Sequence, residues 1–241
     1  MPLSIYIATT LQKPLYGKVY AQLNNLQNVE VKCLNNDSGN VWCRDYMPVK
    51  TGKGNYVQFQ YKPSYMSGNK WKKYIPKSEQ LHNEISIKRL TTSSLILDGG
   101  NVELLNNKAI VTDRFFRDNN AKSLEDQKNL TQKLRGALEV EKVVCIPQYP
   151  YDFTGHVDGL VRFINSNTVL INNYDKELKE IKRDKNSYRK KIMEQWHFSF
   201  IDILLNEGFN IMELTYNTKK EDYTSAEGIY LNFLMLEKSI L

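Results

Sequence analysis

Apolar residues along the chain alternate between short runs with a two-residue period and longer stretches where they return every three or four positions. The segments "SLILDGGNVELL" (94–105) and "KAIVTD" (108–113) read as strands. "SLEDQKNLTQKLRGAL" (123–138) has helical spacing, with Ser123 and Asp126 forming a capping box and Leu130, Leu134 and Leu138 on one face. "KVVCI" (142–146) is again strand-like, so the predicted order is ββαβ. The order returns in "GLVRFI" (159–164), "TVLIN" (168–172), a helix through "KKIMEQWHFSFIDILLNEG" that stops near Gly208, and "NIMEL" (210–214).

A less regular copy starts at "VWCRDYMPV" (41–49), continues in "NYVQFQY" (55–61) and passes through a polar, Lys-rich stretch around 69–90. The amino end offers the strand "SIYIAT", a helix with Val19, Leu23 and Leu26 on one side, and the strand "VEVKCL". Units opening near Val41, Leu95, Gly159 and Gly228 are spaced by 54, 64 and 69 residues, the mark of a repeat architecture. We read residues 1–241 as one α/β domain of units placed side by side. The last copy, "GIYLNFLMLEKSIL", runs for 14 residues, and the expectation is that it is incomplete, leaving strand edges that invite pairing with another chain; a homo-oligomer stays open on that ground.

Composition narrows the classes. Hydrophobic residues at 41% and charged residues at 25% are ordinary for a globular chain, and no apolar run approaches the ~20 residues of a membrane span. The amino end lacks a basic region and a small-residue cleavage site, so the expectation is a cytoplasmic protein. Cys33, Cys43 and Cys145 are scattered, which argues against a disulfide framework and against a metal site. The net charge of +6 raises nucleic-acid binding. Much of it lies in 175–191, where eight Lys or Arg mix with four Asp or Glu, the composition of a solvated surface rather than of a phosphate-binding stripe.

Candidate chemistry gathers where the units open. "GHVDG" (155–159) puts His156 and Asp158 two positions apart, on one face if the segment is extended. "WCRDYMP" (42–48), "LDGGN" (97–101) and "SAEGIYLNF" (225–233) open the other units. Each also has a plainer reading: His156 capping a turn, Asp45 paired with Arg44, Asp98 in turn chemistry before Gly99 and Gly100, Asn232 merely opening a blade. Tyr61, Tyr65, Trp71 and Trp196 read as core packing before an aromatic wall for a ligand, and His82 and His197 take no role.

The four motifs, in this order and at this spacing, resemble the agmatine deiminase and bacterial peptidylarginine deiminase family of the guanidine-modifying pentein superfamily. The resemblance implies a five-bladed α/β propeller of ββαβ units around a central site, no cofactor, and a guanidino substrate such as agmatine, in the setting of polyamine and putrescine synthesis. It implies that Asp45 and Asp158 bind the two sides of a guanidinium and that His156 is the general acid and base. Asp98 stands where the family has an acidic residue orienting that histidine; Asn232 matches an asparagine near the site, Asn101 supports the loop, and Trp42 accompanies Asp45 at the substrate. Planar, permanently charged guanidinium suits paired carboxylates.

The family's nucleophilic cysteine lies in the last blade, and none of the three cysteines stands at a matching position. Cys43 sits two residues from Asp45, whose charge would disfavour the thiolate. The expectation is therefore a deiminase by lineage whose 241 residues are nearly inert without that thiol. The alternative is a catalytically inert pentein that holds a guanidinium or a protein partner.

Overall fold

A computed structural model describes residues 3–34, 39–76, 81, 85, 87–182, 187–215, 229–233, 235–236 and 239–240. The chain falls into two compact units, Met1–Lys50 with Gly54–Gly99, and Thr51–Lys53 with Gly100–Leu241.

The first unit opens with strands β1 (Leu3–Ala8) and β2 (Val29–Leu34), paired in parallel from Leu3 opposite Val29 to Ala8 opposite Leu34. Parallel neighbours need a crossover, and helix α1 (Gly17–Asn24) supplies it. A three-stranded sheet follows: β3 (Val49–Lys50) runs antiparallel to β4 (Tyr56–Gln60), which runs parallel to β5 (Leu90–Ile96).

The strand expected from Val41 is instead a one-turn helix, α2 (Cys43–Tyr46). Asn40 Oδ1 accepts from Trp42 N at 2.9 Å, and Met47 N donates to the Cys43 carbonyl at 3.0 Å, so the turn closes locally. Pro48 forces Met47 to be extended, which is why the strand begins only at Val49. The Lys-rich stretch carries 3₁₀ turns at Ser64–Met66 and Asn69–Tyr74. Leu81 and Ile85 join Ala8, Leu34, Cys43 and Tyr46 in this unit's core.

The second unit contains two ββαβ copies. In one, β6 (Glu103–Leu105) is antiparallel to β7 (Lys108–Thr112), and β7 is parallel to β8 (Lys142–Ile146). Helices α3 (Arg114–Asp118) and α4 (Leu124–Ala137) make the crossover. The expected capping box of α4 is present: Asp126 N donates to Ser123 Oγ at 3.1 Å, and Ser123 N donates to Asp126 Oδ2 at 2.9 Å.

In the other copy, β9 (Val161–Asn165) is antiparallel to β10 (Thr168–Asn172), which is parallel to β11 (Asn210–Leu214). Helices α5 (Asp175–Lys182) and α6 (Ser187–Asn206) lie between β10 and β11. Gly208 ends α6 at φ 80°, where a Cβ would be strained. The mixed-charge run read as solvated surface is in part the helix α5, with Ile181 buried. β12 (Met235–Leu236) pairs antiparallel with β13 (Ser239–Ile240) at the end of the described chain.

The core of this unit runs from Ile110, Val144 and Ile146 through Val161, Val169 and Ile171 to Met193, Phe200 and Leu204. Trp196 belongs to it, stacked on Phe200 with ring centroids 5.3 Å apart, as the packing reading expects. Among the described residues no helix is long and apolar enough to cross a membrane.

Candidate functional site

The motif residues fall into two clusters, one in each unit. In the first unit the link between Asp45 and Asp98 is made by a glycine. A Cβ on Gly99 would lie 1.9 Å from the carbonyl oxygen of Arg44 and 3.7 Å from Asp45 Cα. Only a residue without a side chain lets the turn after β5 lie against the backbone of α2, and that contact brings Asp98 beside Asp45. The segment read as a single strand, 94–105, is thus broken: β5 ends at Ile96, and β6 starts at Glu103 in the other unit.

Asp98 is buried, and its Oδ2 accepts a hydrogen bond of 2.8 Å from the phenol of Tyr65. Burial, the charge of Asp98 and then other neighbours push the Tyr65 hydroxyl far above its ordinary range, so the phenol stays protonated and donates. Tyr61 is raised by burial, by Asp45 and by Asp98. Its hydroxyl accepts from Asn40 Nδ2 at 3.1 Å, and its ring meets the edge of Tyr46 at 5.9 Å.

Tyr61 and Tyr65, read from sequence as packing residues, therefore belong to the acidic cluster. No periodicity marks them, because Tyr61 sits just past the end of β4 and Tyr65 in a single 3₁₀ turn, Ser64–Met66. Trp42, the residue before α2, is exposed at 64%. Replacing Tyr65 with Phe leaves the buried Asp98 oxygen without its donor, a loss of about 1–3 kcal/mol for an acceptor left unsatisfied. The expected result is agmatine affinity, by titration calorimetry, reduced by roughly tenfold or more; unchanged affinity would show that Asp98 is held without the phenol.

In the second unit His156 and Asp158 are both buried, at 9% and 6% exposure. They lie in a turn, not in an extended segment: Leu160 N and Val161 N both donate to the Val157 carbonyl, and β9 starts at Val161. Asp152 begins the turn. Its Oδ1 accepts from Thr154 N at 2.9 Å and from Thr154 Oγ1 at 2.7 Å, and its Oδ2 from His156 N at 3.3 Å. Gly155 takes φ 68°, which favours glycine.

Buried Arg114 grips the same turn, donating through Nη1 to the Phe153 carbonyl at 3.1 Å and through Nε to Asp118. Thr112 ties it to the motif before it. Asn101 Oδ1 accepts from Thr112 N at 3.0 Å, while Thr112 Oγ1 lies 2.9 Å from that oxygen and 2.6 Å from the Gly155 carbonyl, its one hydrogen serving both. Asp158 N donates to the Gly100 carbonyl at 3.1 Å.

Asn101, His156 and Asp158 are thereby brought together. Ile229 packs over Gly159, its Cγ2 3.9 Å from where a Cβ would be, so the segment carrying exposed Asn232 joins them. Asp152, Thr112 and Arg114 were not singled out in the sequence, although Asp152 two residues before Thr154 is a readable turn signal. His82 lies outside the described residues. Among the described residues no cluster of three His, Cys, Asp or Glu could hold a metal.

The family model for the Porphyromonas-type peptidyl-arginine deiminase matches residues 5–241. The chain belongs to this family. The peptidyl-arginine deiminase family is one of guanidine-modifying hydrolases, and the fold agrees. An agmatine deiminase from C. jejuni, solved with substrate bound, is 15% identical, with a TM-score of 0.66 over 99% of this chain and 79% of its own. The agmatine deiminase of Enterococcus faecalis is 16% identical, with a TM-score of 0.59 over 100% of this chain and 70% of its own. DDAH from Pseudomonas aeruginosa, in complex with citrulline, is more distant, at 13% identity and a TM-score of 0.51 over 100% and 83%. These likenesses are of fold. A comparison with curated protein sequences finds no significant match.

Proposed function

We propose that this chain recognises a guanidino compound, agmatine or a related arginine-like amine or peptide, for deimination to the ureido product and ammonia. The observation that supports the reading is the approach of Gly99 to Arg44, which lays the turn carrying Asp98 against the helix carrying Asp45, with both charges reaching Tyr61 and Tyr65, in a chain of a guanidine-modifying family. A turn that needs only a tight bend has no reason to press its backbone into a helix bearing a second carboxylate.

Asp45 and Asp158 accept the in-plane N–H groups of the guanidinium. His156 is the general acid and base, Asp98 its acidic orienting partner, and Asn101, Asn232 and Trp42 complete the walls. A thiolate adds to the central carbon, forming a C–S bond. The C–N bond then breaks, and ammonia leaves with the proton of His156. The imidazole next takes a proton from water, whose oxygen attacks the carbon; the C–S bond breaks, the thiolate is restored and the ureido group is released.

The thiolate is the open part of this scheme. Burial first, then the charge of Asp45 among smaller effects, pushes the Cys43 thiol up to about 11. Burial and Asp113 push Cys145 up to about 12. Cys33 lies on β2, outside every motif in sequence, where its sulfur accepts from Gln12 Nε2 at 3.2 Å. We assign the nucleophilic role to none of them, which favours the second reading for these 241 residues by themselves: they bind the guanidinium and do not turn it over. Alkylation of the native protein at pH 8 is expected to be about 100-fold slower at Cys43 than at an ordinary exposed thiol, rising about tenfold per pH unit towards 11. Peptide mapping after timed iodoacetamide treatment checks this, and rapid labelling of Cys43 at neutral pH would reopen its candidacy.

The direct test is ammonia release from agmatine by the chain alone and by the chain fused to the cysteine-bearing terminal segment of an agmatine deiminase. The expected outcome is release by the fusion only, with agmatine binding by both. Release by the chain alone that is lost in Cys43→Ser would assign the thiolate to Cys43, and binding by neither would overturn the reading.

A further inference from the structure

The second unit contains a guanidinium site that the protein fills itself. Arg162, on β9, is buried, its side chain 8% exposed, and Nη1 lies 2.7 Å from Glu103 Oε2 on β6. Nη2 donates to the Phe233 carbonyl at 2.9 Å, and the guanidinium carbon lies 4.8 Å from the centre of the Phe233 ring. Glu103 Oε1 also accepts from Phe163 N at 3.3 Å, which fixes the carboxylate to β9. One plane of N–H donors is thus read along its edge by a carboxylate and a carbonyl and on its face by an aromatic ring.

What the cation holds is a sharp turn. Phe233 N donates to the Leu231 carbonyl at 2.9 Å, closing a three-residue turn with Asn232 at its centre. Leu231 is fully buried on one side of Asn232, Phe233 is gripped on the other, and Asn232 itself is exposed. Among the described contacts, the Phe233 side of the turn is fastened by Arg162 alone, across 71 residues of sequence.

We propose that Arg162, aimed by Glu103, is the positioning residue that presents Asn232. The inference rests on the proposed function only for the purpose Asn232 serves; the clamp stands on its own contacts. Lysine cannot substitute, because a single ammonium on a flexible stem does not reproduce the two-nitrogen edge or the flat face.

The test is hydrogen exchange by mass spectrometry on wild type, Arg162→Ala, Arg162→Lys and Phe233→Leu, with agmatine titrations beside it. In Arg162→Ala, exchange of the peptide spanning 229–233 is expected to accelerate at least about tenfold while peptides in β10 stay protected, and guanidinium chloride at low millimolar concentration is expected to restore protection by refilling the vacated site. Arg162→Lys is expected to exchange nearly as fast. Should Arg162→Ala fail to fold, Phe233→Leu, which removes the ring and keeps the carbonyl, gives a smaller acceleration in the same peptide. Unchanged exchange at 229–233 in the folded variants, or acceleration equal across β10, overturns the clamp. Acceleration at 229–233 with wild-type protein that does not bind agmatine leaves the clamp standing and refutes the proposed function instead.

Discussion

Asp158→Asn and Asp45→Asn each weaken agmatine binding by about 100-fold, the loss that follows from taking a carboxylate away from a desolvated cation. The amide keeps the shape but turns one acceptor oxygen into an N–H that faces the N–H groups of the ligand. Asp158 is buried in the turn before β9 and Asp45 is half-buried on α2, so the charges are not freely replaced by water. Titration calorimetry measures the affinities, and thermal unfolding separates lost binding from lost structure. Asp126→Asn serves as the contrast: it weakens the capping box of α4 and lowers stability, with agmatine affinity unchanged. Equal affinity for wild type and both site variants would remove these residues from the ligand.

The second large effect is expected at Gly99. A methyl group there cannot be absorbed by a rotating side chain, because the atom it meets, 1.9 Å away, is the backbone oxygen of Arg44. The turn after β5 must lift off α2, with a cost of about 3 kcal/mol by comparison with overpacked cores. The separation also moves Asp98 from Asp45. Gly99→Ala is therefore expected to lower the denaturation midpoint and to weaken agmatine binding by more than tenfold. Gly136→Ala, where nothing lies within 4 Å of the added carbon, is expected to leave binding unchanged and to raise stability slightly, since it replaces a glycine inside α4. A Gly99→Ala protein as stable as wild type would show that the close approach is not needed.

The contrast between these glycines bears on what a sequence can reveal. Features set by neighbours within a few residues were readable: the capping box at Ser123, the stop of α6 at Gly208, and the strand–helix order in the second unit. A turn at Asp98, Gly99 and Gly100 was one reading of a run that otherwise looks like one strand, but the reason the turn needs Gly99 was hidden, because it lies at Arg44, far back in the chain. Tyr65 was read as packing ahead of a ligand wall for a similar reason, its partner being Asp98, 33 positions on. The grip of Arg162 on Phe233 spans 71 positions and leaves no local pattern. Motif residues were legible as residue types; the side chains and backbone contacts that hold them are long-range, and only the fold brings them together.

Agmatine and putrescine differ in one respect that matters here, a guanidinium against an ammonium on the same four-carbon chain. Titrating both into the wild-type protein therefore asks directly whether the acidic motifs are built for a flat, forked cation. Agmatine binding at least about tenfold tighter than putrescine is the predicted result. Equal affinity for the two, or no affinity for either, would contradict guanidinium recognition.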